Sequence, residues 1–223
     1  MNHVPVLTLD GPGGAGKGTV GRRVAARLGW HYLDSGALYR VVALVSLRHG
    51  VGAEDAATVA AVIPGLQVVF EDEHVVLNGE DVSHELRTEA VSRRASALAP
   101  ASVVRAALVE RQRALRKLPG LVADGRDMGT VVFPDAQVKV FLDASPAERA
   151  FRRYKQLKEQ GFNANLPSLT EELRKRDERD ANRAVAPLKP AVDAEVIDTT
   201  GHPVDWVVER LLALVTNAGG SGG

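Results

Sequence analysis

A glycine-rich stretch near the start of the chain carries the residue types that bind phosphate. It reads Gly-Pro-Gly-Gly-Ala-Gly-Lys-Gly-Thr, with the spacing Gly, four residues, Gly-Lys. Glycine lets a chain pass close to a phosphate with its N–H groups pointing inward, because it has no Cβ and adopts positive φ freely. The lysine adds a mobile charge that can follow a phosphoryl group. We predict a nucleoside-triphosphate site at Gly11, Pro12, Gly13, Gly14, Ala15, Gly16, Lys17, Gly18 and Thr19.

The flanking residues favour this interpretation over a glycine-rich turn with a chance lysine. An apolar run, Val4 to Leu9, precedes the stretch and is typical of a buried parallel strand. A helix is predicted from about Gly18 to Leu28, with Gly29 as its cap, and its N-terminal dipole also favours phosphate. One irregularity is Gly18 itself, which stands where Ser or Thr usually meets Mg²⁺.

Composition restricts the class of protein. The chain has 223 residues, 45% of them hydrophobic, so one large domain or two small ones can bury a core. The formal net charge is zero, which gives no overall field to attract nucleic acid or a membrane. No cysteine is present, which excludes disulfides and thiolate metal sites. We find no signal peptide or apolar run of membrane length, and we expect a cytoplasmic protein.

Strands and helices alternate along most of the chain, which predicts an α/β fold whose parallel sheet is covered on both faces. An antiparallel hairpin interrupts the alternation, because two apolar runs are followed by an Asn-Gly turn. We interpret Leu66 to about Arg87 as an inserted substrate-side subdomain. The remaining predicted strands are Trp30–Leu33, Leu121–Ala123, Val138–Leu142 and Glu195–Asp198.

Several helices are predicted from their caps and apolar spacing. Residues Glu89–Lys117 should be helical with a break near Pro100, and most arginines of the second half are interpreted as solvated charges. A final amphipathic helix is predicted over Pro203–Val215, followed by a flexible tail at 218–223.

The region between these helices has two predicted capping boxes. Ser145–Glu148 should open a helix that ends at Gly161, with Arg149 away from an apolar side formed by Ala150, Phe151, Tyr154 and Leu157. Phe162–Pro167 is predicted to be a loop, and Ser168–Glu171 should open a very polar helix.

Arginines recur near predicted strand ends and helix starts. Arginine contacts phosphate through two N–H groups at once, and phosphoryl transfer depends more on charge neutralisation than on acid–base chemistry. No Ser-His-Asp arrangement and no histidine metal spacing stands out. We therefore expect a phosphoryl-transfer site that draws on Arg40, Arg126, Arg152, Arg176 and Arg183.

Three segments have simpler interpretations when each is judged alone. Asp34 and Ser35 are ordinary helix-capping residues. Asp127 could be a structural cap, and the polar helix that contains Asp180 could be a solvated ladder of ion pairs.

Four segments occur together in the order found in bacterial cytidylate kinases, and the chain resembles that family from about Val6 to Val215. They are Gly11–Thr19, Leu33–Arg40, Asp124–Pro134 and Arg176–Arg183. The Gly-Lys-Gly-Thr element alone indicates only the wider group of nucleoside-monophosphate kinases, whereas the last two segments are more specific. Gly13 departs from the family's frequent Ser but still offers its N–H group.

The resemblance implies a three-layer P-loop kinase fold with a central parallel sheet, a small antiparallel substrate-side insertion and a helical lid. The implied reaction moves the γ-phosphoryl group of ATP to CMP or dCMP and requires Mg²⁺. We expect a monomer that binds neither nucleic acid nor membrane. The implied boundaries are a core at about 1–62, 100–148 and 184–217, a nucleotide-binding insertion at about 63–99 and a lid at about 149–183.

The resemblance also implies a role for each residue at a matching position. ATP would be bound by Gly11–Thr19 and by Arg152 on the lid. The ribose-phosphate of CMP would be surrounded by Ser35, Arg40 and Arg126. Cytosine would be read by Ser96, Arg105 and Asp127. The sugar and the phosphates would be contacted by Arg176, Asp180 and Arg183. The expected catalytic residues are Lys17, Arg126, Arg176 and Arg183.

The chemistry of cytosine supports the role of Asp127. Its carboxylate can accept from the N4 amino group of cytosine, whereas uracil presents an oxygen there. Such a buried mismatch costs about 1–3 kcal/mol.

Two other classes of function remain open at this point. One is a kinase for another small acceptor, such as UMP or a sugar. The other is a nucleotide-dependent switch or binding module, although the Asn-Lys-x-Asp guanine-reading motif is absent. An anion-binding structural protein is a further alternative.

Overall fold

The computed structural model describes residues 4–71, 74–159 and 161–220. The chain forms two compact units, one from the chain up to Leu33 and from Leu115 onward, the other from Asp34–Ala114. The predicted insertion at 63–99 lies inside the second unit, and its role in binding a nucleotide stays a prediction.

The described strands form two sheets. They are β1 (Val6–Asp10), β2 (His31–Asp34), β3 (Val68–Glu71), β4 (His74–Leu77), β5 (Glu80–Asp81), β6 (Leu121–Asp124), β7 (Val138–Asp143) and β8 (Glu195–Asp198). Five of them form a central parallel sheet in the order β2–β6–β1–β7–β8, and the other three form a small antiparallel sheet. The predicted α/β class is therefore confirmed.

The helices follow the predicted alternation. They are α1 (Lys17–Leu28), α2 (Ser35–Arg48), α3 (Ala56–Val62), α4 (Glu89–Leu98), α5 (Ser102–Arg113), α6 (Pro146–Glu159), α7 (Leu166–Ala181) and α8 (Val204–Gly220). Helix α3 was not predicted from the sequence. A single π-helical turn, Met128–Val132, follows β6.

The core of the first unit lies between the sheet and two helices. Strand β1 is buried along its whole length, as expected for a parallel strand that is covered on both faces. Helices α1 and α8 pack on each other, and Gly29 caps α1 as predicted, in the left-handed conformation at φ 64°. The core side chains include Leu7, Leu9, Val20, Val24, Val122, Val140, Leu142, Ile197, Val208 and Leu211.

The second unit combines helices with the antiparallel sheet. Asp34 caps α2 by accepting from the Ala37 N–H at 2.9 Å, as the capping interpretation predicted. Strands β4 and β5 are joined by Asn78 and Gly79, whose φ values of 50° and 87° match the predicted hairpin turn. Helix α2 packs against α4, and α3 packs against α5.

The start of α7 corrects one prediction. The helix begins at Leu166 rather than after Ser168, so Leu166 and Pro167 belong to its first turn and not to a loop. Asn165 is the cap, since its side chain accepts from the Ser168 N–H at 3.0 Å. Pro167 suits a first turn, where its missing N–H has no helical partner to lose.

The apolar side predicted for α6 is also partly wrong. Arg149 is buried, whereas Phe151 is exposed. Arg149 can be buried because its guanidinium donates to the carbonyl oxygens of Ala144 and Gly13 and to the carboxylate of Asp177. The spacing of apolar residues along α6 does not reveal these partners.

Two further predictions need correction. Arg105 is buried, and Arg111 and Arg116 donate to backbone carbonyls, so these arginines are not simply solvated. Helix α8 continues to Gly220, so 218–220 are helical rather than part of a tail, and 221–223 lie outside the described residues.

Candidate active site

The predicted phosphate loop connects β1 to α1. Gly11, Gly14 and Gly16 have φ values of 142°, 82° and 94°, which side chains rarely adopt. A Cβ at Gly14 would lie 2.8 Å from the Arg149 carbonyl oxygen, so the loop packs closely on α6. The N-terminus of α1 opens directly from the loop and favours an anion.

Lys17 lies inside this loop. Its ammonium group donates to the carbonyl oxygens of Gly11 and Pro12, both at 2.9 Å. Burial lowers the pKa of Lys17 to about 7, and the positive charge of Arg126 acts in the same direction, while Asp124 opposes the shift. A bound phosphate would restore the preference for the charged ammonium.

Two central strands end in a carboxylate beside the loop. Asp10 is buried and accepts from the N–H groups of Met128 and Gly129, both at 2.8 Å. Burial raises its pKa to about 6, although these N–H groups act against the rise. Asp124 accepts from the Tyr32 hydroxyl at 3.0 Å through Oδ2.

A cluster of arginines surrounds the buried carboxylate of Asp180. Nε of Arg126 donates to Oδ2 at 3.1 Å, and Arg183 donates to Oδ1. Nε of Arg176 lies 4.0 Å from Oδ2. Burial opposes ionisation of Asp180, but the three guanidinium charges outweigh it and hold the pKa below its ordinary value. This cluster is not the solvated ladder of ion pairs that the sequence left open.

Arg152 connects α6 to the loop that follows β8. Its Nε donates to Glu148 at 2.8 Å, and its two terminal nitrogens donate to the hydroxyl and carbonyl of Thr199 at 2.9 and 2.7 Å. Nη1 also lies 3.7 Å from the place where a Cβ of Gly16 would be. The structure therefore brings Arg152 to the phosphate loop.

Four of the predicted site residues belong to the second unit. Ser35 is buried at the start of α2, and Arg40 lies one turn further along. Ser96 on α4 has a buried hydroxyl oxygen that finds no hydrogen-bond partner among the described residues. Arg105 on α5 is buried and lies 3.4 Å from the Tyr39 hydroxyl.

Asp127 stands directly after Arg126 and is buried at the start of the π-helical turn. Within the described part of the chain, its side chain makes no capping hydrogen bond to that turn. The role of Asp127 in reading cytosine stays a prediction.

Sequence reasoning did not single out Asp10, Arg149, Asp177 or Thr199. Asp10 is the last residue of β1 and Thr199 follows directly after β8, so the rule that ligands lie at the carboxyl ends of parallel strands could have found both. Arg149 and Asp177 carry no such signal, because one arginine among many in a polar helix is not distinctive.

A glycine loop between a buried strand and a helix, with an inward lysine and a facing arginine cluster, defines a P-loop kinase. The model of the Cytidylate kinase family matches residues 7–217, and the chain belongs to this family. It is therefore an enzyme of the phosphotransferase class.

Curated relatives agree with this assignment. The chain is 57% identical over 213 residues to a cytidylate kinase of Burkholderia pseudomallei (strain K96243), covering 96% of this chain and 93% of that protein. It is 58% identical over 212 residues to a cytidylate kinase of Burkholderia ambifaria, covering 95% and 93%. Among solved structures, an uncharacterized protein from Eubacterium ventriosum shares the fold, with a TM-score of 0.52, 12% identity and coverage of 96% and 98%.

No helix among the described residues combines the length and apolar composition that a membrane crossing needs.

Proposed function

We propose that this protein transfers the γ-phosphoryl group of ATP to CMP and dCMP. The observation that carries the proposal is the short distance between the phosphate loop and Arg126 of the arginine cluster. A Cβ at Gly13 would lie only 3.7 Å from Nη2 of Arg126, whose Nε is held by Asp180. The loop would hold the donor phosphates while the guanidinium groups neutralise charge on the group in transit.

The acceptor's base and ribose-phosphate would be bound by residues at the family-matched positions. Ser35, Arg40 and Arg126 would surround the ribose-phosphate of CMP. Ser96, Arg105 and Asp127 would read cytosine, with the carboxylate accepting from N4 and the other two donating. The unpartnered Ser96 hydroxyl supports this role, since a buried hydroxyl without a partner costs stability unless a ligand satisfies it.

Asp180 would have two tasks in this site. Its oxygens hold Arg126 and Arg183, which fixes both guanidinium groups before substrate arrives. A carboxylate has about four acceptor positions, so a sugar hydroxyl could be accepted as well. Arg183→Ala should mainly lower kcat, because Arg183 would meet charge that develops only during transfer.

Asp124, together with the phosphates of bound ATP, would hold Mg²⁺, which would supply positive charge to offset that of the phosphates. The residues present fit this ion. A Cβ at Gly18 would lie 3.6 Å from Oδ2 of Asp124, so a carboxylate stands beside the position where other loops supply a hydroxyl. No cage of three or more His, Asp or Glu residues exists in the described chain, which suits an ion held mainly by phosphates, water and one carboxylate.

Water competes with CMP for the phosphoryl group, so the site has to exclude it before transfer. We propose that 149–183 act as a lid, in which Arg152 approaches ATP. CMP with a non-hydrolysable ATP analogue should protect 149–165 from proteolysis. Equal cleavage with and without the ligands would contradict a lid.

We also propose that the protein is a cytoplasmic monomer that binds neither nucleic acid nor membranes. The zero net charge and the family resemblance support this proposal.

The deciding experiment is an acceptor panel with purified protein, ATP and Mg²⁺. CMP, dCMP, UMP, AMP, shikimate and gluconate are compared by the release of ADP and by direct detection of the phosphorylated product. We expect CDP and dCDP as the main products and no product from the Lys17→Met variant. A higher kcat/KM for UMP or a sugar acid, or ATP hydrolysis without any acceptor, would overturn the proposal.

A further inference from the structure

Arg149 is a buried arginine that has no role in the site described so far. It lies in the first turn of α6, and its side chain is 7% exposed. Its Nε donates to the carbonyl oxygen of Ala144 at 2.9 Å. Nη1 donates to the carbonyl oxygen of Gly13 at 3.1 Å and to Oδ2 of Asp177 at 2.6 Å. One guanidinium thus joins the end of β7, the phosphate loop and α7.

The loop side of this junction is tightly constrained. Gly14 has a positive φ of 82°, and a Cβ there would lie 2.8 Å from the carbonyl oxygen and 2.9 Å from the Cβ of Arg149. The loop therefore rests directly on the backbone of α6. Arg149 contacts the loop twice. Its side chain orients the Gly13 carbonyl, and its backbone packs against Gly14.

The α7 side depends on the same guanidinium. Oδ1 of Asp177 is buried without a hydrogen-bond partner among the described residues, while Oδ2 accepts from Arg149. Asp180 follows three residues later, so the two carboxylates lie on neighbouring turns of one helix face. The position of Asp177 consequently sets the position of Asp180 and of the arginines that Asp180 holds.

We propose that Arg149 is a positioning residue that fixes α7, and with it the Asp180 cluster, relative to the phosphate loop. This inference rests on the proposed phosphoryl transfer, for which the loop and the cluster must hold one group between them. Arginine suits the task because its rigid planar fork reaches several acceptors at once, whereas the single ammonium of lysine cannot span them.

The test compares Arg149→Lys with a control substitution of the same type on the neighbouring helix, α7. The control is Arg179→Lys. Arg179 is exposed, and among the described residues its Nε donates to the Lys175 carbonyl oxygen of its own helix. For Arg149→Lys we expect kcat to fall roughly 10–100-fold, which is the scale of a misplacement of about 1 Å. KM for ATP and CMP should stay within about threefold, since the proposed site does not use Arg149 to bind either substrate. The control should match the wild type.

A second variant, Asp177→Asn, guards against a failure of Arg149→Lys to fold. It keeps the shape of the side chain and should lower kcat in the same way. Because both changes break one link, the double variant should lose little more than either single variant. Additive losses, an unchanged kcat, or a change confined to KM would each overturn the proposal.

Hydrogen exchange of α7 in the nucleotide-free proteins supplies a readout that does not depend on activity. Amides of 173–181 should exchange faster in Arg149→Lys and Asp177→Asn than in the wild type or in Arg179→Lys. Unchanged exchange would overturn the positioning role even if kcat fell. A wild type that makes no CDP would refute the proposed function, whereas the exchange result would still decide whether Arg149 holds α7.

Discussion

Nε of Arg126 donates to Oδ2 of Asp180 at 3.1 Å, although 54 residues separate the two in the sequence. The same carboxylate accepts from Arg183 through its other oxygen. A single buried negative charge therefore holds guanidinium groups from two distant segments in one place.

Replacing Asp180 by Asn should disperse this cluster. The arginines would lose their counter-ion and repel each other, so we expect kcat to fall by roughly 100-fold or more. Steady-state kinetics with ATP and CMP measures the loss. Asp205→Asn is the control, because Asp205 forms an exposed ion pair with Arg23 and should change kcat little.

Asp180→Asn should also change how the free energy of unfolding depends on acid pH. The folded-state pKa of Asp180 is held below its ordinary value, so its ion pairs stabilise the fold at neutral pH and lose that effect as the pH falls through the folded pKa. Urea unfolding between pH 7 and pH 3 should show a smaller acid-dependent loss of the free energy of unfolding in Asp180→Asn. An identical slope in both proteins would contradict the strong pairing of Asp180.

Binding of a phosphate chain should add a proton to Lys17 at alkaline pH. Burial lowers the folded pKa of Lys17 to about 7, so the amine is mostly neutral at pH 8.5, and a bound polyphosphate should draw the proton back. Calorimetry in buffers of different ionisation enthalpy should detect uptake approaching one proton at pH 8.5 and little at pH 6. Lys17→Arg should abolish the uptake at pH 8.5, since arginine stays charged. Uptake that persists in this variant would assign the proton elsewhere.

Gly13 and Gly14 should differ sharply in their tolerance of a methyl group. A Cβ at Gly14 would meet the Arg149 backbone and require a positive φ, so Gly14→Ala should cost about 1–3 kcal/mol of stability and weaken ATP binding. A Cβ at Gly13 would lie 3.3 Å from Cδ2 of Leu173, a movable side-chain end. Gly13→Ala should keep kcat/KM within about threefold. Thermal unfolding and ATP kinetics of the pair would show whether the predicted order holds or is reversed.

Asp127→Ala should reduce the preference for CMP over UMP. Removing the carboxylate takes away the acceptor for N4 of cytosine and the repulsion toward O4 of uracil, each of the order of 1–3 kcal/mol. The ratio of kcat/KM values for the two nucleotides should fall about 10-fold or more. If the ratio is unchanged while both values drop, Asp127 supports the π-helical turn rather than the base.

The outline of the fold could be predicted because each signal was local. Buried parallel strands such as β1 are mostly apolar, Gly29 ends its helix, and Asn78-Gly79 favours a hairpin turn. The start of α7 was misplaced because Asn165 and Ser168 are both good caps, and local sequence does not decide between them.

The hydrogen bonds and ion pairs within the site were less predictable than the fold. Asp180 could be placed on a helix face with Arg176, but its pairing with Arg126 depends on how α7 returns to the end of β6. The burial of Arg149 likewise depends on a loop carbonyl 136 residues earlier in the chain. Such long-range partners leave no periodic trace in the sequence.

Thr199 shows how late the phosphate loop is completed. Its hydroxyl lies 3.2 Å from the Ala15 carbonyl oxygen and 2.9 Å from that of Asp143, and it accepts from Arg152. During synthesis, the phosphate loop therefore lacks this support until Thr199, 184 residues after Ala15, has been made. A nascent chain that stops before β8 should be unable to retain ATP.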